Sequence, residues 1–156
     1  MKQNVGILLF DDVEVLDFAG PFEVFSVTSQ LQDYTLFDVF TVGKTSAPIR
    51  AINGLSVNPT YDFAHCPPLD ILIIPGGDGT KAVIQDNEIL NWIQQQHGHT
   101  QWTMSICSGS RMLGVLGLLD FLPYCTHHEV YTSMQEITPS GRPQPEKRYV
   151  QAGKIF

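Results

Sequence analysis

The sequence predicts an α/β fold built on a mostly parallel central sheet. Continuous apolar runs at residues 5–10 and 70–74 are typical of strands that are buried on both faces, as in parallel sheets. Each run is followed by a segment with apolar residues at helical spacing, and residues 102–106 and 108–119 repeat the same order of strand and helix. Strands that alternate with helices in this way favour one sheet with helices on both of its faces.

The other elements follow in chain order. Residues 16–27 carry large apolar side chains at a spacing compatible with a packed helix, and Gly20-Pro21 marks either its first turns or a kink. Residues 36–42 predict a second strand, and Asn53-Gly54 indicates the turn of a short hairpin-like section. Helical spacing returns over residues 86–96.

The end of the chain predicts a hairpin. Residues 148–150 and 154–156 flank a turn at Ala152-Gly153, and the chain stops within the second of these strands. We expect residues 1–156 to form a single domain with one core, because this length and a hydrophobic content of 43% are ordinary for a globular domain.

Composition disfavours several classes of function. Nine Lys and Arg against sixteen Asp and Glu give a net charge of -7, and no basic stretch is present, so nucleic acid is a poor candidate partner. No apolar run reaches membrane-spanning length, and the apolar start is too short for a signal sequence. Three widely spaced cysteines without a C-x-x-C pair argue against a disulfide framework and a structural zinc site. We therefore expect a cytoplasmic protein.

Cys107 lies at the turn between a predicted strand and a predicted helix. The small residues Ser108 and Gly109 allow the backbone to turn tightly, as in the nucleophile elbows of hydrolases. The free N–H groups and positive dipole end of the following helix favour the thiolate over the thiol, which indicates a reactive cysteine. Cys66 and Cys125 lack this context, and we assign them the structural role that is usual for free cysteines.

Asp17 lies among apolar residues, where a carboxylate is costly to desolvate. Two interpretations are open. Asp17 is either the N-cap of the first helix or a buried carboxyl with a raised pKa that acts as a general acid. If the strands are parallel neighbours, its place just after the first strand puts Asp17 at the same edge of the sheet as Cys107.

A glycine turn, Pro75-Gly76-Gly77, follows the strand at residues 70–74 and ends at that same edge. The backbone N–H groups of Gly77 and Ser108 together could form an oxyanion-type hole beside the thiol. A plain turn between strand and helix is the alternative. The spacing of these glycines matches neither phosphate-binding nor dinucleotide-binding patterns.

His127-His128-Glu129 is the remaining cluster of polar groups. Adjacent side chains do not share a helix face, so the pair is a poor metal site without distant ligands, and we predict no metal and no organic cofactor. These histidines are either solvated or core residues, or one of them polarises the thiol, which is a common way to activate cysteine.

The chain resembles the ThiJ/PfpI superfamily, whose members share the class I glutamine amidotransferase-like fold. The resemblance extends from residue 5 to about residue 156 and rests on segments that occur in the family's order, namely residues 16–25, 74–77, 107–110, 117–119 and 126–127. It implies a flavodoxin-like three-layer sandwich, with a mostly parallel sheet between two layers of helices and the nucleophile elbow at Cys107.

Within that superfamily the sequence most resembles the isonitrile (isocyanide) hydratases, which pair an Asp in an L-D-x-x-G-P segment with a Cys-Thr-Gly elbow. The resemblance implies that Cys107 is the nucleophile and Asp17 the general acid and base. Ser108 replaces the usual Thr and keeps its hydroxyl. The implied reaction adds water to a small isocyanide and gives an N-substituted formamide through a thioimidate on Cys107, without metal or cofactor. We expect Gly20, Gly76 and His127 to line the pocket.

Two departures from the family affect these expectations. His128 stands where relatives commonly carry Trp, and residues 121–124 replace a usually more polar stretch. Both differences change residues that are expected to shape the substrate pocket. Relatives also continue beyond the equivalent of Phe156 with a glycine-rich turn, a strand region and a long helix. We therefore expect a truncated product that lacks this strand and helix, with a homodimer covering part of the apolar surface so exposed.

Two other functions remain open. The same fold and the L-D-x-x-G-P segment occur in ligand-sensing domains of AraC-type transcription regulators, which carry an additional helix-turn-helix region. Alternatively, the chain is a glyoxalase or a redox-stress protein of the same superfamily, in which Cys107 is oxidised reversibly beside Asp17.

Overall fold

The structure is a computed structural model that describes all residues from Met1 to Phe156. Its strands are β1 (Gln3–Leu9), β2 (Phe37–Gly43), β3 (Ile49–Arg50), β4 (Ser56–Val57), β5 (Tyr61–Asp62), β6 (Ile71–Ile74), β7 (Trp102–Ser105), β8 (Pro123–Tyr124) and β9 (Arg142–Pro143). Its helices are α1 (Val15–Gln30), α2 (Thr80–Val83), α3 (Asn87–His99), α4 (Ser110–Val115) and α5 (Tyr131–Ile137). Short 3₁₀ turns precede α4 and α5 and connect β3 to β4.

The central sheet has five parallel strands in the order β5-β2-β1-β6-β7. The chain leaves β1 through α1 toward β2 on one side, whereas it leaves β6 through α3 toward β7 on the other side. Right-handed crossovers in opposite directions place α1 and α3 on opposite faces of the sheet. The predicted flavodoxin-like α/β fold is confirmed.

The core lies on both faces of β1 and β6. Every residue of β6 is buried, and so are the last five residues of β1. The buried apolar side chains of the two helical layers and the sheet form one cluster of 27 residues. This continuous burial explains why both strands are uninterrupted apolar runs in the sequence, since neither face of these strands meets water.

The first helix is longer than predicted. It spans Val15–Gln30 and continues through Pro21, so Gly20-Pro21 neither starts the helix nor breaks it. Pro21 lacks the N–H that would bond to the carbonyl of Asp17. Several apolar side chains of α1 face solvent, among them Leu16 and Val24, which are 75% and 64% exposed. The predicted homodimer stays a prediction, and this exposed stripe is the surface to examine for it.

The predicted helix over residues 108–119 is wrong in its extent. A 3₁₀ turn covers Cys107–Gly109, and the α-helix ends at Val115. The chain turns at Gly117, whose φ of +71° lies in the left-handed region that favours glycine. The predicted hairpin around Asn53-Gly54 is confirmed, since β3 and β4 pair in antiparallel fashion on either side of it.

The predicted hairpin at the chain end is also wrong. Residues 148–150 form no strand; instead a tight turn joins Ala152 to Ile155. The last residues then run parallel to β7, where the Ser105 N–H donates to the Phe156 carbonyl at 2.8 Å. Lys154 Nζ donates to the carbonyls of His97 and Thr100 at the end of α3. These contacts add the last residues to the main sheet, so those residues do not pair with residues 148–150 as a hairpin.

The buried strand β6 provides a test of this core. Ile73 is 1% exposed at the centre of the sheet, and Ile73→Ala leaves a cavity between the helical layers. We expect the free energy of unfolding to fall by about 2–5 kcal/mol, as for other buried Ile→Ala substitutions. Val24→Ala is the matched control, because Val24 is 64% exposed. Urea unfolding measures both, and equal losses for the two variants would contradict the assignment of β6 to the core.

Candidate active site

The site lies where the strand order reverses. The chain turns away to opposite sides after β1 and after β6, so the ends of these two neighbouring strands leave a crevice between them. In open α/β sheets such a switch point is the usual place for a ligand. The β1 connection carries Asp17, the β6 connection carries Gly76 and Gly77, and β7 leads into Cys107. The predicted convergence of these segments at one edge is confirmed.

Cys107 has the strained backbone of an elbow. Its φ is +56°, a conformation that costs a non-glycine residue of order 1–3 kcal/mol and therefore needs support from its surroundings. The strand ladder ends just before it, where the Ile106 N–H donates to the Ile74 carbonyl at 2.9 Å. Gly109 packs so closely under β6 that a Cβ atom there would collide with the Ile74 carbonyl. The tight turn predicted from Ser108 and Gly109 is thus present.

Asp17 points into the crevice. Its Oδ2 accepts a hydrogen bond from the Gly76 N–H at 3.1 Å. Asp17 lies in the first turn of α1, but the N-cap is Glu14, so the capping interpretation of Asp17 is wrong. A Cβ atom at Gly76 would lie 2.9 Å from Asp17 Oδ2 and 2.6 Å from the Ser108 nitrogen. Only glycine therefore fits between the carboxyl and the elbow.

Burial raises the pKa of the Asp17 carboxyl, and hydrogen bonds with Gly76 and Cys107 offset part of that rise. Burial also raises the pKa of the Cys107 thiol, and the negative charge of Asp17 raises it further. The expectation of a thiolate favoured by the helix dipole is therefore wrong for the resting site. The following helix has only six residues, and desolvation and the neighbouring carboxylate both disfavour the thiolate.

Ser108 holds the elbow to the glycine turn. Its Oγ accepts from the Gly77 N–H at 2.9 Å and lies 3.3 Å from the Gly77 carbonyl, to which it donates. The Gly77 N–H is thus already engaged, and the prediction that it serves as an oxyanion donor is wrong. The Ser108 backbone N–H instead lowers the pKa of the Cys107 thiol. Of the two predicted donors, only the Ser108 N–H acts on the thiol.

Two hydroxyl groups that the sequence reasoning missed support the strained residue. Thr126 Oγ1 donates to the Cys107 carbonyl at 3.0 Å and lies 2.7 Å from Ser110 Oγ. The Tyr131 hydroxyl accepts the backbone N–H of Thr126 at 3.2 Å. The sequence indicates Thr126 only as part of a Thr-His segment. Its role at Cys107 has no local sequence pattern, because the contact spans 19 residues.

A polar cleft of about 380 Å³ opens above the thiol. It is lined by Glu14, Ile52, Gly77, Asp78, Lys81, Cys107, Ser108, Arg111, His127, Glu129 and Val130. His127 thus lines the pocket as predicted, and its charge contributes to lowering the pKa of Asp17, although less than the hydrogen bonds do. His128 is 81% exposed and is not among the residues that line the cleft. Gly76 lies behind the cleft against Asp17, and Gly20 lies on α1 outside the cleft lining.

The other two cysteines differ from Cys107. Burial raises the pKa of the Cys66 thiol to about 11 and also raises that of Cys125. Neither thiol lies against a carboxyl, and both are free of disulfide bonds. These environments support the structural role predicted for them. No group of three or more His, Cys, Asp or Glu side chains is arranged to hold a metal ion, and none of the helices combines the length and apolarity needed to cross a membrane.

The sequence of this chain is similar to those of known proteins. Residues 3–156 match the DJ-1/PfpI family. The chain belongs to this family. It is 32% identical over its full length to an isonitrile hydratase from Pseudomonas putida, of which it covers 64%. It is 28% identical over 88% of its length to the HTH-type transcriptional regulator GbdR from Pseudomonas aeruginosa, of which it covers 37%. The chain thus spans less than two thirds of either relative.

Two solved structures superpose closely on the chain. A ThiJ/PfpI family protein from Pseudomonas syringae has a TM-score of 0.82 at 26% identity, and the match covers 99% of this chain and 61% of that one. A structure described as a putative transcriptional regulator from Vibrio parahaemolyticus has a TM-score of 0.86 at 20% identity over 99% of this chain and 82% of that one. The latter similarity shows the shared fold alone.

The coupling between Asp17 and the thiol can be tested with Asp17→Asn. The charge and the hydrogen bond of Asp17 both raise the pKa of Cys107, so the variant should have a lower thiol pKa. We expect the pH profile of Cys107 alkylation by iodoacetamide to shift to lower pH, followed by mass spectrometry of the Cys107 peptide. Asp38→Asn removes an exposed carboxylate that pairs with Lys2 and should leave the profile unchanged. An unshifted profile in Asp17→Asn would contradict the coupling.

The support from Thr126 predicts a second effect. Thr126→Val removes the donor to the Cys107 carbonyl, whereas Thr126→Ser keeps it. We expect Thr126→Val to lose about 1–2 kcal/mol of unfolding free energy, because the buried carbonyl loses a partner and the elbow keeps its strain. Thr126→Ser should recover most of that loss in urea unfolding. A loss in Thr126→Ser without a loss in Thr126→Val would show that the methyl group, not the hydroxyl, matters here.

Proposed function

We propose that this protein is a cysteine-dependent hydratase that converts small isocyanides to N-substituted formamides. The observation that carries the proposal is the half-buried pair of Asp17 and Cys107, in which each group affects the pKa of the other. The relative named isonitrile hydratase, at 32% identity, supports the substrate class. Thioimidate formation needs a nucleophile and a proton donor within reach of the same carbon, and this pair provides both.

The first step requires movement of a proton within the pair. Asp17 as carboxylate takes the thiol proton of Cys107, which leaves a thiolate beside a carboxylic acid. The raised pKa of Asp17 favours this acid form, and the Ser108 N–H stabilises the sulfur anion. Since one negative charge moves from oxygen to sulfur and no new charge is created, the step suits a partly buried site.

The thiolate then attacks the terminal carbon of the isocyanide. A new C–S bond forms, and Asp17 returns its proton to the same carbon, which gives a thioimidate, R–N=CH–S–Cys107. Water adds to this carbon, and Asp17 accepts one of its protons and passes it to the nitrogen. As the C–S bond breaks, the proton of the new hydroxyl group goes to the sulfur. Cys107 recovers its proton and R–NH–CHO leaves. The sum is one isocyanide and one water consumed for each formamide formed, with no change of oxidation state at sulfur.

Formamide production from cyclohexyl isocyanide tests the proposal. Cys107→Ala should abolish turnover, and Asp17→Asn should reduce kcat by about 10²–10⁴-fold, which is the range for loss of a general acid and base. Cys66→Ala is the matched control, because it removes a partly buried thiol outside the cleft. Mass spectrometry of wild-type protein quenched during turnover should show an adduct of one isocyanide on Cys107. Equal activity in Cys107→Ala and wild type would overturn the mechanism.

A ligand-sensing role is the second candidate, favoured by the match to regulator GbdR over 88% of the chain. A sensor would bind its ligand in the same cleft without needing the thiol. The two functions therefore differ in their response to Cys107→Ser, which abolishes hydration but leaves reversible binding intact. The redox role also predicted for Cys107 would appear as a sulfenic acid on that residue after mild peroxide treatment. The cytoplasmic location stays a prediction.

A further inference from the structure

Arg111 lies in the wall of the Cys107 cleft with its guanidinium fixed in place. Nη1 donates to Thr80 Oγ1 at 3.0 Å, and Nη2 donates to Ser133 Oγ at 3.2 Å. The protons of both hydroxyls are committed elsewhere, because Thr80 donates to the Gly77 carbonyl and Ser133 to the Val130 carbonyl. Each hydroxyl therefore presents a lone pair to Arg111, and α2, α4 and α5 together hold the charged group at one position.

The guanidinium of Arg111 forms no ion pair, although Lys81 and, to a lesser degree, the charge of Arg111 lower the pKa of Asp78. Both acceptors of its hydrogen bonds are neutral. A partly buried guanidinium beside two hydroxyls keeps its full charge, and neutral residues could bridge the same helices at lower desolvation cost. A bound anion would supply the partner that the protein itself does not.

The acidic residues of the cleft do not offset this charge equally. Asp78 pairs with Lys81 at 2.9 Å, and Glu129 is 77% exposed with His128 at 3.9 Å. Glu14 lies on the β1 side, where it raises the pKa of Asp17. None of these three carboxylates forms an ion pair with Arg111, which lies on α4 in a chain whose net charge is -7.

The remaining donors of Arg111 fit a planar anion. A guanidinium has five N–H groups in a rigid fork, and the two hydroxyls use two of them. The others suit a carboxylate better than a neutral carbonyl, because charge-assisted pairs to guanidinium are stronger and can be bidentate. Arg111 and Cys107 line the same cleft, so an anion held by Arg111 can belong to a substrate whose reacting carbon lies at the thiol.

We propose that Arg111 is a specificity-determining residue that selects substrates with a carboxylate a few bonds from the carbon attacked by Cys107. Combined with the proposed hydratase function, on which this substrate class rests, the preferred substrates are short isocyano carboxylates. The cleft of about 380 Å³ has room for a molecule of this size. Bulky apolar isocyanides have fewer complementary groups in this polar cleft.

The charge selectivity of the cleft can be measured without any isocyanide. Iodoacetate and iodoacetamide alkylate the same sulfur and differ by the carboxylate. We expect the ratio of their rate constants at Cys107 to fall about fivefold in Arg111→Met, because the attraction between the guanidinium and the carboxylate of iodoacetate is lost. Arg111→Lys should retain part of the ratio, and Arg142→Met, which removes an exposed Arg elsewhere, should retain all of it.

Comparison of rates within each variant protects this test from general damage to the fold, since iodoacetamide reports how accessible and reactive the thiol remains. An unchanged ratio in Arg111→Met, or an equal fall in Arg142→Met, would overturn the role of Arg111. This result would say nothing against hydration of isocyanides, so the two proposals fail separately.

Turnover then tests the substrate class. The proposal predicts a higher kcat/KM for isocyanoacetate than for its neutral methyl ester in wild type, with the preference lost in Arg111→Met and kept in Arg142→Met. Equal turnover of acid and ester by wild type would overturn the substrate preference while leaving the hydratase function standing. Absence of turnover with acid, ester and cyclohexyl isocyanide would overturn the hydratase function and the substrate class, and the alkylation ratio alone would decide whether the cleft selects anions.

Discussion

The hydrogen bond from the Gly76 N–H to the Asp17 carboxyl is the contact on which the site depends. It joins the connection after β1 to the connection after β6 at the point where the strand order reverses. The close approach leaves no room for a side chain at residue 76. The same close approach brings Ser108 against the glycine turn. Because the carboxyl, the turn and the elbow share one small volume, the pKa of Asp17 and that of Cys107 are set together.

The elements buried on both faces were the most predictable from sequence. The runs in β1 and β6 identified their strands because a strand without a solvent face needs no alternation. The convergence of Asp17, Gly76 and Cys107 also followed, since the carboxyl ends of parallel strands meet at one edge. The end of α4 and the path of the last residues did not follow, because both are decided by contacts between distant segments, as where Phe156 bonds to β7.

The prediction of a thiolate at Cys107 was wrong for a related reason. A turn before a helix suggests a stabilised thiolate, but the size of that effect depends on helix length, burial and neighbouring charge, none of which is local in sequence. The hydrogen bond that occupies the Gly77 N–H likewise comes from Ser108, 31 residues away. Nothing in the sequence gives a reason to select Arg111, because its contacts with Thr80 and Ser133 and the absence of an ion pair to it are set by the tertiary structure.

The support of the Cys107 carbonyl by Thr126 links the nucleophile to a late part of the chain. The strand and the turn that carry Cys107 are complete by residue 109, but the hydroxyl that holds its left-handed backbone arrives only with the segment around residue 126. A nascent chain that has not yet added this segment has the cysteine without its supporting partner. The nucleophile geometry in this protein therefore depends on a residue 19 positions beyond the elbow, and not on the elbow sequence alone.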